Sequence, residues 1–94
     1  MFARVGRIQA RPEQLDAAVS YLDEQIIGGE RGLKNAYALI DRQSGKLMTL
    51  TLWETAPDLQ ATADLALDIL REASRRAGAS AEPVVETYEV VLTE

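Results

Sequence analysis

Aromatic and amide side chains on predicted strands are the first candidates for chemistry in this chain. Trp53 lies in the segment "TLTLWET", residues 49–55. An indole can stack on a planar aromatic ligand and donate one hydrogen bond through its N–H. Tyr37 and Tyr88 could hold a substrate hydroxyl or act as weak acids, and Asn35 could orient a substrate carbonyl. These residue types favour a site for a small aromatic molecule.

Each of these side chains also has a purely structural interpretation. Trp53 could fill the core or a dimer interface at the end of its strand. The two tyrosines could be half-buried packing residues whose hydroxyls lie at the rim, and Asn35 could face solvent. The sequence leaves both interpretations open.

Arg4 is the candidate for recognising negative charge. A guanidinium on the first strand could donate hydrogen bonds to an anionic or enolate-like oxygen. Alternatively, Arg4 and Arg7 could form cross-strand ion pairs with Glu86 and Glu89 on the last strand. Such pairs contribute little when they are exposed.

Several classes of site are disfavoured by composition and context. The chain has no histidine and no cysteine, so a nucleophilic triad, a disulfide and the commonest metal ligands are excluded. Asp64 and Asp68 share a helix face and are interpreted as solvated surface. The segment "GGERG", residues 28–32, follows a helix rather than a strand, which is the wrong context for a phosphate-binding loop. Neither a metal nor a cofactor is expected.

Length and charge narrow the class of protein. The 94 residues predict one domain spanning 1–94, with 47% hydrophobic and 27% charged residues. A net charge of −5 argues against binding to nucleic acid or to an anionic membrane. No apolar run approaches the roughly 20 residues that span a bilayer, and the first residues lack the apolar block of a signal peptide. We expect a soluble cytoplasmic protein.

The pattern of helix and strand signals predicts an α+β fold of ferredoxin-like type. Strands are predicted at 2–9, 33–41, 46–54 and 84–92. One helix should begin near Pro12 and end at Gly28 and Gly29, and a second should run from the N-cap Thr55 to about Ala77. The second has a predicted buried stripe, consisting of Leu59, Ala63, Ala66, Leu70, Ala73 and Ala77. The order β-α-β-β-α-β places both helices on one face of an antiparallel sheet with strand order 4-1-3-2.

Both faces of this sheet should carry large apolar groups. In the third strand Met48, Leu50 and Leu52 share one face, and strict alternation in the second strand groups Leu33 with Asn35, Tyr37 and Leu39. A large exposed apolar patch usually marks an interface. We therefore expect a homodimer in which two sheets form a dimeric α/β barrel, the alternative being a monomer with an apolar surface.

Three short segments carry a resemblance to a known family. They are "GL" at 32–33, "DRQSG" at 41–45 and "LTLWET" at 50–55. With the element order, they make the chain similar to the antibiotic biosynthesis monooxygenase family of dimeric α/β-barrel proteins, over essentially the whole chain. The resemblance implies a homodimer with a pocket between sheet and helices in each subunit. Some members oxidise phenolic or anthrone-like polyketides to quinones with O₂ and no metal or flavin, and others degrade haem.

The chain departs from both active patterns of that family. In the quinone-forming members an Asn precedes the strand-three Trp by four residues and a Tyr follows it by six. The matching residues here are Thr49 and Leu59. In the haem-degrading members the matching residues are an Asn and a His, where this chain has Gly6 and Ala63. Haem degradation is disfavoured because no histidine is available to bind iron.

Two hypotheses of function follow. The resemblance implies a cofactor-independent monooxygenase acting on a small planar phenolic or polyketide-type substrate, with Trp53 and Tyr37 as catalytic candidates. Asn35, Arg4 and Tyr88 would then bind the substrate. The alternative is a non-catalytic homodimeric barrel that binds a small hydrophobic ligand or a partner. An apolar cavity of roughly 300 Å³ or more beside Trp53 would favour the first hypothesis, and a filled one would favour the second or a purely structural role.

Overall fold

The sheet and helices follow the predicted order, with one helix more than expected. The structure is a computed structural model that describes residues 1–26 and 31–94. A single 3₁₀ turn, Pro12–Gln14, precedes the first helix. The elements are β1 (Phe2–Gln9), α1 (Leu15–Ile26), β2 (Leu33–Asp41), β3 (Lys46–Trp53), α2 (Ala56–Ala61), α3 (Ala63–Arg76) and β4 (Val84–Glu89).

The four strands form one antiparallel sheet in the order β2-β3-β1-β4. This order and the ferredoxin-like α+β architecture confirm the prediction. Both crossovers put the helices on the same side, so the opposite side of the sheet is uncovered within one chain. The sheet of one chain is open and does not close into a barrel.

Local signals explain where most elements begin and end. The Thr55 hydroxyl accepts a hydrogen bond from the Asp58 N–H at 3.2 Å, which confirms the predicted N-cap. Gly45 has φ +81° in the β2–β3 turn, as its position predicted. The predicted stop of α1 at Gly28 and Gly29 lies outside the described residues. Strand β3 ends at Trp53 rather than at 54, and β4 ends at Glu89 rather than at 92.

The predicted second helix is broken in two at Thr62. This residue has φ −104° and ψ 9°, outside the helical region. Its hydroxyl lies 3.1 Å from the Leu59 carbonyl oxygen and 3.3 Å from that of Asp58, and a side-chain hydroxyl that bonds backbone carbonyls competes with the helix. The prediction of one continuous helix was therefore wrong. Ala63, assigned to the buried stripe, is exposed beyond this break.

A bulge in β2 changes which side chains share a face. Leu33 lies opposite Trp53, and Asn35 lies opposite Leu52, so the register shifts between Leu33 and Asn35. Leu33 therefore shares the helix-facing side with Trp53, whereas Asn35 lies on the uncovered side. The strict alternation that grouped Leu33 with Asn35 was wrong, because the extra residue offsets the period of two.

The core lies between the sheet and α1 and α3. Its largest fully buried side chains are Leu15, Leu22 and Leu47. Gly6 in β1 is required by close packing, since a Cβ built there would lie 2.6 Å from Thr49 Oγ1 and 2.8 Å from Leu70 Cδ1. Helix α3 can therefore approach the centre of the sheet, and its Leu70 packs directly over Gly6.

The side of the sheet away from the helices, called the open face, is largely apolar. Four of its large side chains are exposed, with Tyr37 at 50% and Tyr88 at 48%, alongside Leu39 and Val84. By strand register it also carries Ala3, Val5, Arg7, Asn35, Met48, Leu50, Leu52 and Glu86. Within residues 1–26 and 31–94, no helix has both the length and the apolar character needed to cross a membrane.

Candidate functional site

A small cavity lies between the sheet and the helices, next to Trp53. Its volume is about 70 Å³. The sheet contributes Arg4, Thr49, Thr51 and Trp53 to its wall, and α3 contributes Leu65, Ala66, Ile69 and Leu70. Apart from Arg4 and threonine hydroxyls, these groups are apolar. The cavity is smaller than the roughly 300 Å³ of a typical ligand pocket.

Trp53 is at once a core residue and a wall of this cavity. It is 3% exposed, and its Nε1–H donates to Thr51 Oγ1 at 2.9 Å. Across the sheet it lies between Phe2 and Leu33. Because its only hydrogen-bond donor is already used, Trp53 can offer a ligand the face or edge of its ring but not its N–H.

Arg4 brings a positive charge to the same wall. It is 5% exposed, and one guanidinium nitrogen, Nη1, donates to Thr62 Oγ1 at 3.3 Å. The other, Nη2, donates to the Leu59 carbonyl oxygen and to Thr62 Oγ1. The guanidinium carbon lies 5.3 Å from the centre of the Trp53 ring, within the range of a cation–π interaction.

Arg4 does not form a cross-strand ion pair with Glu86 or Glu89, which was the alternative to a role in binding. Arg7, three residues along β1, donates to Glu86 Oε1 at 2.9 Å. Because strand side chains alternate, Arg4 points to the helices instead. Among the described residues, no carboxylate lies within 4.0 Å of its guanidinium nitrogens.

Burial without a carboxylate makes Arg4 electrostatically unusual. Loss of hydration lowers the pKa of the Arg4 guanidinium below its usual value. Arginine nevertheless keeps its proton in proteins, so the cavity wall carries a full positive charge. A carbonyl and a hydroxyl compensate this charge only in part, and a bound anion would compensate it further.

The other three predicted site residues lie on the open face, away from the cavity. Asn35 and Tyr37 are opposite Leu52 and Leu50 of β3, and Tyr88 is opposite Ala3 of β1. Within one chain they cannot contact the same small molecule as Trp53 and Arg4. Which side of the sheet each residue occupies depends on strand register, which the sequence pattern did not determine.

Tyr88 belongs to a small polar network on the open face. Its hydroxyl donates to Glu86 Oε2 at 2.9 Å, while Glu86 also accepts the hydrogen bond from Arg7. The Arg7 hydrogen bond, then that of Tyr88, holds the pKa of Glu86 below its usual value. The hydrogen bond to Glu86 raises the pKa of Tyr88. This tyrosine is therefore a poorer acid than a free phenol.

Sequence reasoning missed the residues that hold Arg4. Thr62 and the Leu59 carbonyl were not candidates, although Thr62 precedes Ala63 and Asp64 much as the N-cap Thr55 precedes Pro57 and Asp58. A second threonine followed by an acidic residue was a usable signal for a new helix start. Leu59 and Thr49, the residues at the family's Tyr and Asn positions, both adjoin the site.

Solved structures of similar shape indicate which fold this is. A candidate antibiotic biosynthesis monooxygenase from Deinococcus radiodurans superposes with a TM-score of 0.73 at 17% identity, covering 100% of this chain and 96% of that one. The chain has the antibiotic biosynthesis monooxygenase fold. SnoaB, a cofactor-independent oxygenase from Streptomyces nogalater, gives a TM-score of 0.69 at 14% identity, with coverage of 98% and 94%. Likeness at such low identity establishes the fold and not the activity.

Sequence comparison adds relatives without an assigned activity. No family model matches the chain. Two uncharacterised proteins of Mycobacterium tuberculosis, MT2634 and Rv2557, are each 27% identical over 93 residues, which is 96% of this chain. The match covers 41% of each relative, so the chain spans about two-fifths of their length. Among solved structures, a protein of unknown function from Nitrosomonas europaea superposes with a TM-score of 0.72 at 19% identity, covering 99% of this chain and 91% of that one.

Proposed function

We propose that the chain is a cofactor-independent monooxygenase that oxidises a small planar phenolic or polyketide-type substrate with O₂ in the cavity beside Trp53. The observation that carries this proposal is Arg4, a buried cation on a largely apolar wall, in contact with an indole ring. Such a pair suits a flat molecule that bears one ionised oxygen. The fold is compatible with this chemistry but does not by itself establish it.

The reaction needs no external reductant. The enolate or phenolate form of the substrate would be stabilised by Arg4, and its ring would lie against Trp53. The substrate carbon transfers electrons to O₂ and bonds to it, and the resulting peroxide anion takes up the proton that the substrate lost on ionising, giving a hydroperoxide. Loss of water from the hydroperoxide leaves a carbonyl, so one oxygen atom enters the product and the other leaves as water. The apolar side chains of α3 would exclude bulk water from the intermediate.

We also propose that the working protein is a homodimer. The open face exposes Tyr37, Leu39, Val84 and Tyr88 next to half-buried leucines of β3. A second copy pressed against this face would remove that apolar surface from water. Asn35, Tyr37 and Tyr88 would then lie at the interface, and their roles in binding or catalysis stay predictions.

Oxygen consumption tests the proposed activity. Purified protein should consume O₂ in the presence of an anthrone, and Trp53→Phe should slow this consumption because the smaller ring leaves the substrate poorly held. Tyr21→Phe is the matched control, since Tyr21 is on α1 with its ring under Arg76 rather than at the cavity. A Trp53→Phe rate equal to that of the unaltered protein would remove Trp53 from the mechanism.

The second candidate is a non-catalytic dimeric barrel that binds a small hydrophobic ligand. Two observations favour it: the cavity measures only about 70 Å³, and Thr49 and Leu59 replace the Asn and Tyr of the active pattern. Its signature would be ligand-dependent quenching of Trp53 fluorescence without O₂ consumption or product. Product formation at any rate above that of the buffer would reject it.

A further inference from the structure

The cavity is too small for the ligand class that its wall favours. An engineered apolar cavity of about 150 Å³ binds benzene, whereas this one measures about 70 Å³. Interiors are close-packed, so an aromatic ligand requires a wall to move rather than a slight adjustment of side chains. The sheet side is tied by strand pairing on both sides of β1. The movable wall is therefore on the helix side.

The corner between α2 and α3 is the part of that wall that Arg4 holds. The six-residue α2 ends at Ala61, and Thr62 interrupts the helix before α3 begins at Ala63. Both hydrogen-bond acceptors of the Arg4 guanidinium, the Leu59 carbonyl and the Thr62 hydroxyl, belong to this corner. Arg4 thus hydrogen-bonds the corner to the sheet, and the buried side chain of Leu59 adds an apolar contact.

The acceptors at this corner are neutral and can be replaced. The bonds from Arg4 already have a charged donor, and a carboxylate or phenolate acceptor adds the attraction between opposite charges. A carboxylate can also accept two of these bonds at once. Thr62 can keep its own bonds to the Asp58 and Leu59 carbonyls after Arg4 leaves. An anion that reaches Arg4 would therefore release the corner without leaving the Thr62 hydroxyl unpaired.

We propose that the ligand of this cavity is an aromatic oxyanion that replaces Leu59 and Thr62 on Arg4, and that this exchange frees the α2–α3 corner to enlarge the cavity. The inference rests on the proposed function, because it uses the same cavity and the same cation. It adds that charge controls access: an anionic ligand opens its own site, and a neutral molecule of the same shape does not. Thr62 is a positioning residue in this scheme.

The hydrogen bonds from Arg4 to Leu59 and Thr62 are called the latch. Amide hydrogen exchange in the absence of ligand tests whether the latch holds the α2–α3 corner. The reporters are the amides of Leu59, Thr62 and Ala66, which donate to Thr55, Leu59 and Thr62 at 3.2, 3.3 and 2.9 Å. Arg4→Met should speed their exchange roughly tenfold or more, as expected when bonds from a charged donor are lost. The Ala77 amide, bonded to Ala73 in α3, should not change. Arg7→Met is the matched control and should leave all four amides unchanged.

A second pair of variants tests the same corner with Arg4 left in place. Thr62→Val removes the hydroxyl and should also speed exchange at the reporter amides, whereas Thr62→Ser keeps the hydroxyl and should behave as the unaltered protein. Unchanged reporter amides in both Arg4→Met and Thr62→Val would overturn the latch. That result would leave the proposed oxygenase activity untouched, because no ligand is involved.

Pairs of anionic and neutral molecules of equal shape test whether the charge of the ligand controls access to the cavity. Benzoate and 1-naphthoate should speed exchange at Leu59 and Thr62 and quench Trp53, while benzamide and 1-naphthamide should do neither. Equal effects of acid and amide would overturn control by charge even if both bind. If neither acid has any effect, Arg4 does not bind these anions, and the proposed function loses its main support. This outcome is separate from the response of the latch to Arg4→Met, which is measured without ligand.

Discussion

Arg4 and Arg7 lie three residues apart on β1, yet they occupy opposite environments. Arg7 is on the open face, half-exposed, and paired with Glu86 at 2.9 Å. Arg4 faces the helices, is almost fully buried, and meets a carbonyl, a hydroxyl and an indole ring instead of a carboxylate. The Arg7 pair is screened by water, so it contributes little to stability.

The contrast separates two roles within one thin sheet. The helix-facing side contains a charge that folding alone does not require, since removing a buried ionic group in favour of an apolar one is often neutral or stabilising. The open face contains apolar groups that one chain leaves in water. The first side suits recognition of a small anion, and the second suits association with another copy. Four experiments test this assignment.

The largest effect is expected from a charge on the open face. Leu39→Asp would bury an unpaired carboxylate in the proposed dimer, and such a charge costs about 3–5 kcal/mol, which raises a dissociation constant by roughly a hundredfold or more. Light scattering should then find single chains where the unaltered protein forms pairs. Ala17→Asp, on the exposed side of α1, is the control and should leave the assembly intact. If the unaltered protein is itself monomeric, the open face is not the proposed dimer interface.

Removing each arginine in turn should affect activity very differently. Arg4→Met should lower turnover of an anthrone by roughly a hundredfold, the usual effect of losing one donor to a developing oxyanion. Its thermal stability should stay equal or rise, because a desolvated charge is removed. Arg7→Met should change neither quantity measurably, as expected for an exposed pair. Equal losses of turnover in both variants would show that activity does not depend on which side of the sheet the arginine occupies.

Two conservative aromatic substitutions compare the sides by stability. Trp53→Phe loses ring volume in the core and the bond to Thr51, and should lower the free energy of unfolding by about 1–2 kcal/mol. Tyr88→Phe loses only an exposed hydrogen bond to Glu86 and should stay within about 0.5 kcal/mol. Urea denaturation measures both. A larger loss for Tyr88→Phe would mean that the open face is buried in solution, which supports the dimer.

The smallest effect concerns acid. Hydrogen bonds from Arg75, then from Arg76, lower the pKa of Glu72 from 4.5 to about 2, and Arg7 lowers that of Glu86. A carboxylate with a lowered pKa adds stability above its unfolded pKa, and this is lost as pH falls through the folded value. Melting temperature should therefore decline between about pH 4.5 and 2, less steeply in Glu72→Gln. Arg4→Met should keep the full decline, since no described carboxylate pairs with Arg4.

Much of the architecture was predictable because its signals are local. The period of two in the strands, the Thr55 cap and the positive φ of Gly45 are properties of a few neighbouring residues, and they led to the right element order and strand order. The apolar character of both sheet faces was also readable from alternation alone. For the site, the sequence offered Trp53 and Arg4 as separate candidates on two strands, and it did not predict that they would lie against each other.

The remaining features depended on contacts between distant residues. The bulge in β2 decided that Leu33 faces the cavity and Asn35 does not, and strand register assigned Tyr37 and Tyr88 to the opposite side. The break at Thr62 brought a hydroxyl and a carbonyl to a guanidinium 58 and 55 residues earlier in the chain. Which elements form can be predicted from the sequence, because caps, turns and periodicity act over a few residues. Which side of the sheet each residue occupies, and how much space remains beside Trp53, follow from register and packing, which involve the whole sheet and its helices together.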